Sequence, residues 1–202
     1  MTNDLNELEN AGIRTLRVFP LWEEFQPVKL LRRNAGKAVE YRYVDGTALP
    51  AGPIGTAGVS AESIKRFDAF LEIAKHRDFE LIVSLINGWM SGQLFVPPIL
   101  DGREILTDPE AIMWQVRFVS FFVNRFKGAK QIIAWELGNE ANCMQAVNRR
   151  SQAWLWTSSL ANAIRAVDGS RPVLSGMHGL DAAGSWTVAD HAELLDVLTT
   201  HT

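Results

Sequence analysis

The sequence predicts an α/β protein built as an incomplete (β/α)8 barrel. Short apolar runs rich in β-branched residues alternate with amphipathic helical stretches, an order that implies parallel strands joined by right-handed crossovers. No glycine-rich nucleotide-binding turn follows the first run, although an open doubly wound sheet usually has one there. Polar and aromatic residues instead follow the runs, as they do at the active face of a barrel. These observations favour the barrel over the open sheet.

Five runs have the length and composition of buried strands, at 13–19, 80–86, 131–138, 172–176 and 195–201. Helices are predicted between and around them, at about 4–10, 60–78, 108–128, 147–167 and 188–194. Ser60 is predicted to cap the second helix, because a serine hydroxyl accepts a hydrogen bond from a free N–H group of the first turn. Asp108 and Pro109 are expected at the cap and first position of the third helix.

All 202 residues are predicted to form one partial barrel domain that is truncated at both ends. About five of the eight strands are accounted for, and a closed barrel typically needs about 250 residues. The segment at about 20–59 is predicted to be a long βα loop at the active face, with EYRYVDG as one arm of a small hairpin. Because an incomplete sheet has unpaired edge strands, we expect self-association through these edges.

Composition limits the partners and cofactors of the chain. Its 20 basic and 23 acidic residues leave a net charge of −3, so no basic surplus is available to bind nucleic acid. No apolar run approaches the roughly 20 residues that cross a membrane. The single cysteine and four scattered histidines lack metal-ligand spacing, so neither a metal nor a cofactor is expected. The N-terminal MTNDLNELEN is polar and acidic, unlike a signal peptide, and the cell compartment stays open.

The motif AWELGNEANC at 134–143 carries the strongest chemical signal. It ends a predicted strand at Asn139 and Glu140, which places a carboxylate at the mouth of the barrel. Cleavage of a glycosidic bond needs two carboxyl groups, one of which protonates the leaving oxygen. An adjacent asparagine can supply a hydrogen bond to that acid or to a sugar hydroxyl. An isolated Asn-Glu pair also fits a polar helix N-terminus, so the context of the motif matters.

That context resembles the clan A glycoside hydrolases, and family 5, with its cellulases and β-mannanases, is the nearest match. The resemblance rests on Trp-x-x-x-Asn-Glu closing a strand, an arginine on an earlier strand and a histidine on a later one, and it covers barrel strands two to six. It implies a retaining mechanism in which Glu140 is the acid/base, Asn139 contacts the sugar and Arg17 orients the catalytic carboxylate. It also implies His201 as a substrate-binding residue. The family's nucleophile, a glutamate ending strand seven, has no counterpart in these residues.

Four further residues that follow predicted strands are candidate substrate-binding residues: Trp22, Asn87, Trp89 and His178. Asn87 and Trp89 belong to SLINGWMSG, which resembles the third strand of mannanase-like family members. Each of the two tryptophans is predicted either to stack on a sugar ring or to belong to the core. A substrate hydrogen bond is favoured over a structural role for His178.

Glu136 does not replace the missing nucleophile. It precedes Glu140 by four strand residues, so the two α-carbons are predicted to be roughly 13 Å apart. Retaining enzymes hold their two carboxyl groups roughly 5–5.5 Å apart. Glu136 is therefore predicted to be a carboxylate of the barrel interior, kept charged by a partner such as Arg17.

The sequence thus predicts a retaining glycoside hydrolase acting on β-linked plant-type polysaccharide or oligosaccharide of the mannan or glucan class. This chain is expected to supply the acid/base but not the nucleophile, and to be inactive alone. One alternative is a catalytically inactive carbohydrate-binding protein that kept the cleft. Another is a fragment without independent function. The sequence does not distinguish between polysaccharides or between endo and exo cleavage.

Overall fold

The computed structural model describes residues 2–32 and 39–201. The helices are α1 (Thr2–Asn10), α2 (Trp22–Phe25), α3 (Pro53–Ala57), α4 (Ala61–His76), α5 (Pro109–Phe126), α6 (Arg150–Arg165) and α7 (Val188–Leu194). The strands are β1 (Thr15–Val18), β2 (Val28–Arg32), β3 (Val39–Tyr43), β4 (Glu80–Ile86), β5 (Trp89–Met90), β6 (Gln93–Leu94), β7 (Ile132–Gly138) and β8 (Val173–Leu174). Within the described ranges, no helix is long and apolar enough to cross a membrane.

The central sheet is parallel and has the strand order β1-β4-β7-β8. Because each strand of this sheet is separated from the next by helical segments, the connections are those of a β/α barrel. The first three strands of this sheet, β1, β4 and β7, lie within two residues of their predicted bounds, and the bounds of β4 are the predicted ones. Their apolar side chains are buried between the sheet and the helices, with no exposed surface at Leu81, Val83, Leu85 or Leu137.

The fourth and fifth predicted strands are shorter than expected. The run at 172–176 pairs with β7 over two residues only, and the run at 195–201 forms isolated parallel bridges at Val197 and Thr200. Backbone bonds join the two runs, such as the one from the Ser175 N–H to the Val197 carbonyl at 3.2 Å, but side chains also take part, since the backbone N–H of Val173 donates to the Asp196 carboxylate at 2.8 Å. Gly176 has a φ of 62°, which turns the chain out of the extended conformation. These local features interrupt a strand that the apolar pattern predicts as continuous.

The predicted helix caps of α4 and α5 are confirmed. The Ser60 hydroxyl accepts a hydrogen bond from the N–H of Ser63 at 3.2 Å. Asp108 Oδ1 accepts bonds from the N–H groups of Glu110 and Ala111 at 2.8 and 2.9 Å, and Pro109 follows it at the first helical position. The helix predicted at 147–167 is shorter and runs over Arg150–Arg165.

The long segment at 20–59 is folded rather than irregular over its described residues. It contains α2, α3 and the antiparallel hairpin β2–β3, so the predicted hairpin arm is confirmed. Tyr41 of β3 packs edge-on against Trp114 of α5, with ring centroids 5.1 Å apart. Its hydroxyl donates to Glu110 of the same helix at 2.8 Å. These contacts attach the hairpin to α5, beyond the carboxyl end of β1.

Candidate active site

Five of the predicted site residues come together where the parallel strands end. Arg17 lies near the end of β1, Asn139 and Glu140 directly follow β7, and His178 follows β8. His201 belongs to the segment that runs parallel to β8. Parallel alignment brings these carboxyl ends to one edge of the sheet, although the residues are far apart in the chain. The cluster is therefore the candidate active site.

Glu140 has an unusual backbone conformation. Its φ and ψ are 48° and 43°, in the left-handed region that a residue with a side chain rarely adopts. The Glu140 N–H donates to the Gly176 carbonyl at 2.7 Å, and the Glu140 carbonyl accepts from the Cys143 N–H at 2.8 Å. These bonds hold the strained turn at the end of β7. Strain of this kind is concentrated at functional sites, where the surrounding structure maintains it.

Two histidines face the Glu140 carboxylate. His201 Nδ1 lies 3.1 Å from Glu140 Oε1, and His178 Nδ1 lies 3.7 Å from the same oxygen. Glu140 keeps 23% of its side chain exposed, so its carboxyl group is accessible at the sheet edge. The backbone N–H of His178 donates to the Asn142 side chain at 2.9 Å, which orients the turn that carries the imidazole. The carboxyl group can thus exchange a proton while one of its oxygens stays in contact with an imidazole.

Arg17 and Asn139 form a fixed pair beside Glu140. Arg17 Nη1 donates to Asn139 Oδ1 at 3.1 Å, and Asn139 Nδ2 donates to the Trp89 carbonyl at 2.8 Å. The guanidinium carbon of Arg17 lies 4.6 Å from the centre of the Phe19 ring, which covers it from one side. Both ends of the Asn139 amide are engaged, so its orientation is set by the fold before any substrate arrives.

Glu136 lies beneath this pair, as predicted. Only 1% of the residue is exposed, and Arg17 Nε donates to Glu136 Oε2 at 2.8 Å. Arg17 Nη2 lies 2.6 Å from the same oxygen. The predicted interior ion pair between Glu136 and Arg17 is thus confirmed.

Trp22 and Asn87 do not reach the surface. Of the two roles predicted for Trp22 the core role is therefore observed and the substrate-binding role is wrong, and the prediction of Asn87 as a substrate-binding residue is wrong as well. Trp22 is fully buried in the core, and its indole N–H donates to Gln26 Oε1 at 2.9 Å. No face of that ring is open to a sugar. Asn87 is also fully buried, and its Nδ2 donates to the carbonyls of Pro20 and Ser84 at 3.0 and 2.7 Å. Asn87 therefore joins the segments that leave β1 and β4.

Trp89 and His178 are accessible. Trp89 is half-buried in the short hairpin β5–β6, where it pairs with Leu94, and its carbonyl holds Asn139. His178 has 58% of its side chain exposed beside Glu140. Stacking of Trp89 on a sugar and hydrogen bonding of His178 to a sugar stay predictions.

Sequence reasoning missed two residues that support the site. Thr199 Oγ1 accepts a bond from the Gly176 N–H at 2.8 Å and donates to Glu136 Oε1 at 3.4 Å. Thr199 precedes His201 by two positions, the spacing that places side chains on the same side of an extended chain. Gly176 had no comparable signal in the sequence, because its role depends on a close approach to another strand.

Among residues 2–32 and 39–201, one group of side chains has ligand atoms suited to a metal: Glu140, Cys143 and His178, whose atoms lie within 4.8 Å of one another. Burial, and then the charge of Glu140, raise the pKa of the Cys143 thiol. A thiol with a raised pKa stays protonated at neutral pH, whereas metal ions bind the thiolate. The expectation of a metal-free site therefore stays a prediction.

The family model of cellulases, glycosyl hydrolase family 5, matches residues 2–195. Among curated proteins, mannan endo-1,4-β-mannosidase F of Aspergillus fumigatus is 24% identical over 200 residues, which cover 92% of this chain and 43% of that protein. Mannan endo-1,4-β-mannosidase A of Podospora anserina is 24% identical over 189 residues, with 91% of this chain and 46% of that protein covered. The chain thus spans less than half the length of these relatives.

Solved structures of low sequence identity share the fold. An exo-β-1,4-mannosidase from an Opitutaceae bacterium has a TM-score of 0.70 at 24% identity, over 92% of this chain and 29% of that one. A GH5_18 protein from Streptomyces cattleya, solved in complex with Manβ1-4GlcNAc, has a TM-score of 0.73 at 18% identity, over 96% of this chain and 43% of that one. The likeness confirms the barrel class of fold.

Proposed function

Because the chain belongs to glycosyl hydrolase family 5, we propose that it carries the general acid/base, Glu140, of a retaining glycosidase acting on β-1,4-linked mannan. The observation that carries the proposal is the position of the Glu140 carboxyl group. It is accessible at the carboxyl edge of the sheet, contacts His201 and His178, and adjoins the fixed Arg17–Asn139 pair. The names of the curated relatives above favour mannan over glucan as the substrate class.

The chemistry requires Glu140 to act twice. In the first step its carboxyl proton passes to the glycosidic oxygen as the bond to the leaving sugar breaks and the nucleophile carboxylate bonds to the anomeric carbon. In the second step the resulting carboxylate takes a proton from the water that attacks the glycosyl-enzyme intermediate. His201 contacts one carboxyl oxygen and leaves the other for the substrate. Asn139, held by Arg17 and the Trp89 carbonyl, is proposed to contact the sugar next to the cleaved bond.

The nucleophile is proposed to come from outside residues 1–202, which form part of the catalytic domain. Over the described residues, the side chains in contact with the Glu140 carboxyl group are histidines and not a second acid. Glu136 is buried and bound to Arg17, so it is not available to attack a sugar carbon. A retaining mechanism needs a second carboxylate roughly 5–5.5 Å from the first.

The test is an azide rescue of Glu140→Ala in the complete gene product. We expect hydrolysis of mannohexaose to fall at least about 10²-fold, because the leaving sugar is no longer protonated. With an aryl β-mannoside whose leaving group needs no proton, added azide should restore turnover and give β-mannosyl azide. Glu80→Gln, which changes an exposed carboxylate at the opposite end of β4, is the control and should behave as wild type.

Two results would overturn the proposal. Full mannohexaose hydrolysis by Glu140→Ala would exclude Glu140 as the acid/base. Binding of mannohexaose by the wild-type protein without any turnover would instead support the catalytically inactive carbohydrate-binding protein.

A further inference from the structure

We propose that Glu136 is a positioning residue for the reaction, which orients Asn139 through Arg17 and the backbone of Glu140 through Thr199 and Gly176. This inference rests on the proposed function, since it concerns the geometry of the same site. Glu136 has only 1% of its surface exposed and lies within β7, so it cannot contact a substrate and would act through the residues bound to it. Two chains of hydrogen bonds leave its carboxylate, one from each oxygen.

The first chain leads from Oε2 to Asn139. Arg17 Nε donates to Glu136 Oε2 at 2.8 Å, and Nη2 of the same guanidinium lies 2.6 Å from that oxygen. Nη1 then donates to Asn139 Oδ1 at 3.1 Å. A planar guanidinium held through two of its nitrogens has a fixed direction for the third. The Glu136 carboxylate therefore determines where the amide of Asn139 points.

The second chain leads from Oε1 to Glu140. Thr199 Oγ1 donates to Glu136 Oε1 at 3.4 Å and accepts from the Gly176 N–H at 2.8 Å. The carbonyl of the same glycine accepts from the Glu140 N–H at 2.7 Å. The strained turn that presents the Glu140 carboxyl group is thus connected to the buried carboxylate through one peptide unit and one hydroxyl.

Close packing makes this connection specific. A Cβ atom at position 176 would lie 2.7 Å from Cδ of Glu136 and 2.0 Å from the Gly138 carbonyl oxygen. Such distances are shorter than any allowed contact, so only glycine permits the two strands to approach this closely. The approach brings the Gly176 peptide within reach of both Thr199 and Glu140.

The charge of Glu136 also balances that of Arg17 next to the acid/base. The titratable groups that face the Glu140 carboxyl group are His201, His178 and Cys143. Replacement of Glu136 by glutamine would leave the Arg17 charge without its partner. Arg17 contacts Asn139, the residue that precedes Glu140. An uncompensated positive charge favours the carboxylate form of a nearby acid.

The experiment compares Glu136→Gln and Thr199→Val in the complete gene product, with kcat, KM and the pH profile for mannohexaose as readouts. For Glu136→Gln we expect kcat to fall about 10²-fold, the cost of a misplaced reacting group. KM should change much less, and the basic limb of the profile should move to lower pH by about one unit. Thr199→Val breaks only the second chain, so kcat should fall without movement of the basic limb.

Asp168→Asn is the matched control, because it removes another buried, arginine-bound carboxylate. Asp168 precedes β8, at the end of the sheet opposite to the candidate site, whereas Glu136 lies within β7. It should lower the melting temperature without moving the pH profile. Wild-type kcat and pH profile in both Glu136→Gln and Thr199→Val would overturn the inference, even if Glu140→Ala is inactive and the proposed function stands. A wild-type protein with no hydrolysis would overturn both.

Discussion

Two buried carboxylate–arginine pairs lie at opposite ends of the parallel sheet and differ in how completely their polar atoms are used. Asp168, before β8, accepts bonds from Ser170, the Trp135 indole and Arg171. Arg171 in turn donates to three backbone carbonyls. Burial opposes ionisation of Asp168, but the donated hydrogen bonds outweigh it and hold its pKa well below the usual range. We call this the closed pair, because the partners named above all belong to the internal contacts of the fold.

The Glu136–Arg17 pair is open on one side. Glu136 is buried, but 28% of the Arg17 side chain is exposed, and the guanidinium continues to Asn139 and the candidate site. Beyond it lie a strained glutamate backbone and two accessible histidines. The two pairs thus differ in their surroundings: the Asp168–Arg171 pair has internal partners only, whereas the Glu136–Arg17 pair continues to the candidate site, where we propose that it positions groups for a ligand.

The largest stability effect is expected at the closed pair. Asp168→Asn removes the negative charge beside Arg171 and replaces one of two acceptor oxygens with an NH2 donor, so the side chain can no longer accept from Ser170 on one side and from the Trp135 indole and Arg171 on the other. Breaking a buried pair costs about 3–5 kcal/mol. Because the folded-state pKa of Asp168 is lowered, its stabilisation is complete above the unfolded pKa of about 3.9 and is lost as the pH falls further. Chemical denaturation at neutral pH measures the loss. Stability within about 1 kcal/mol of wild type would contradict the assignment of this pair to the fold.

Gly176→Ala should disrupt the close contact of residue 176 with Gly138 and Glu136, on the side of the candidate site. The added methyl group would lie 2.0 Å from the Gly138 carbonyl, and the residue has a φ of 62°. We expect a loss of about 1–3 kcal/mol from overpacking, together with loss of mannohexaose hydrolysis. Gly92→Ala is the control, since that glycine also has a positive φ but no atom lies within 4 Å of where its methyl group would be. Equal effects of the two substitutions would show that backbone conformation alone, and not strand approach, explains the result.

A smaller effect on stability is expected from His191, a residue of α7 that is buried against α6. Burial lowers its pKa below the usual value, although its bond to the Thr187 carbonyl opposes the shift. The unfolded chain therefore binds more protons near pH 6, so stability should fall as the pH drops below about 6.5. Melting curves between pH 7.5 and 5.5 measure this slope. His191→Gln should flatten it, whereas His76→Gln, at an exposed histidine, should leave it unchanged.

The smallest effect concerns the sheet edge. Glu80 N–H donates to the Arg14 carbonyl, so residue 14 faces β4 and Thr15 N–H faces the open side of β1. We predict concentration-dependent self-association through this edge, and Thr15→Pro should weaken it by removing the free donor. Sedimentation velocity over a range of concentrations tests this. A wild-type monomer at all concentrations would contradict the prediction.

Local signals explain which parts of the fold were predictable. Ser60 and Asp108 cap their helices with their own side chains, so a few neighbouring residues suffice to predict where α4 and α5 begin. Strands β4 and β7 are buried apolar runs, and their bounds were predicted to within one residue. The prediction of a continuous strand at 195–201 was wrong, since this run forms only isolated bridges, and the side chains of Asp196 and Thr199 accept bonds from the backbone of the neighbouring run, which hydropathy does not represent.

The candidate site was partly predictable for a different reason. Parallel strands bring residues at their carboxyl ends to one edge, and five predicted site residues lie near or after the end of a strand or predicted strand: Arg17, Asn139, Glu140, His178 and His201. Trp22 and Asn87 share that pattern but are fully buried. Position after a strand indicates the correct end of the molecule, but it does not indicate whether the next turn carries the side chain inward or outward.

The order of strands and helices and the carboxyl edge as the place of the candidate site could be predicted from local periodicity and strand direction, whereas Glu140 as the acid was predicted from the resemblance to family 5. Three features became visible only in the folded chain: the left-handed turn of Glu140, the close contact at Gly176 and the two chains of hydrogen bonds from Glu136. Those features join residues about 20–120 positions apart in the chain, and contacts between distant residues depend on the packing of whole elements.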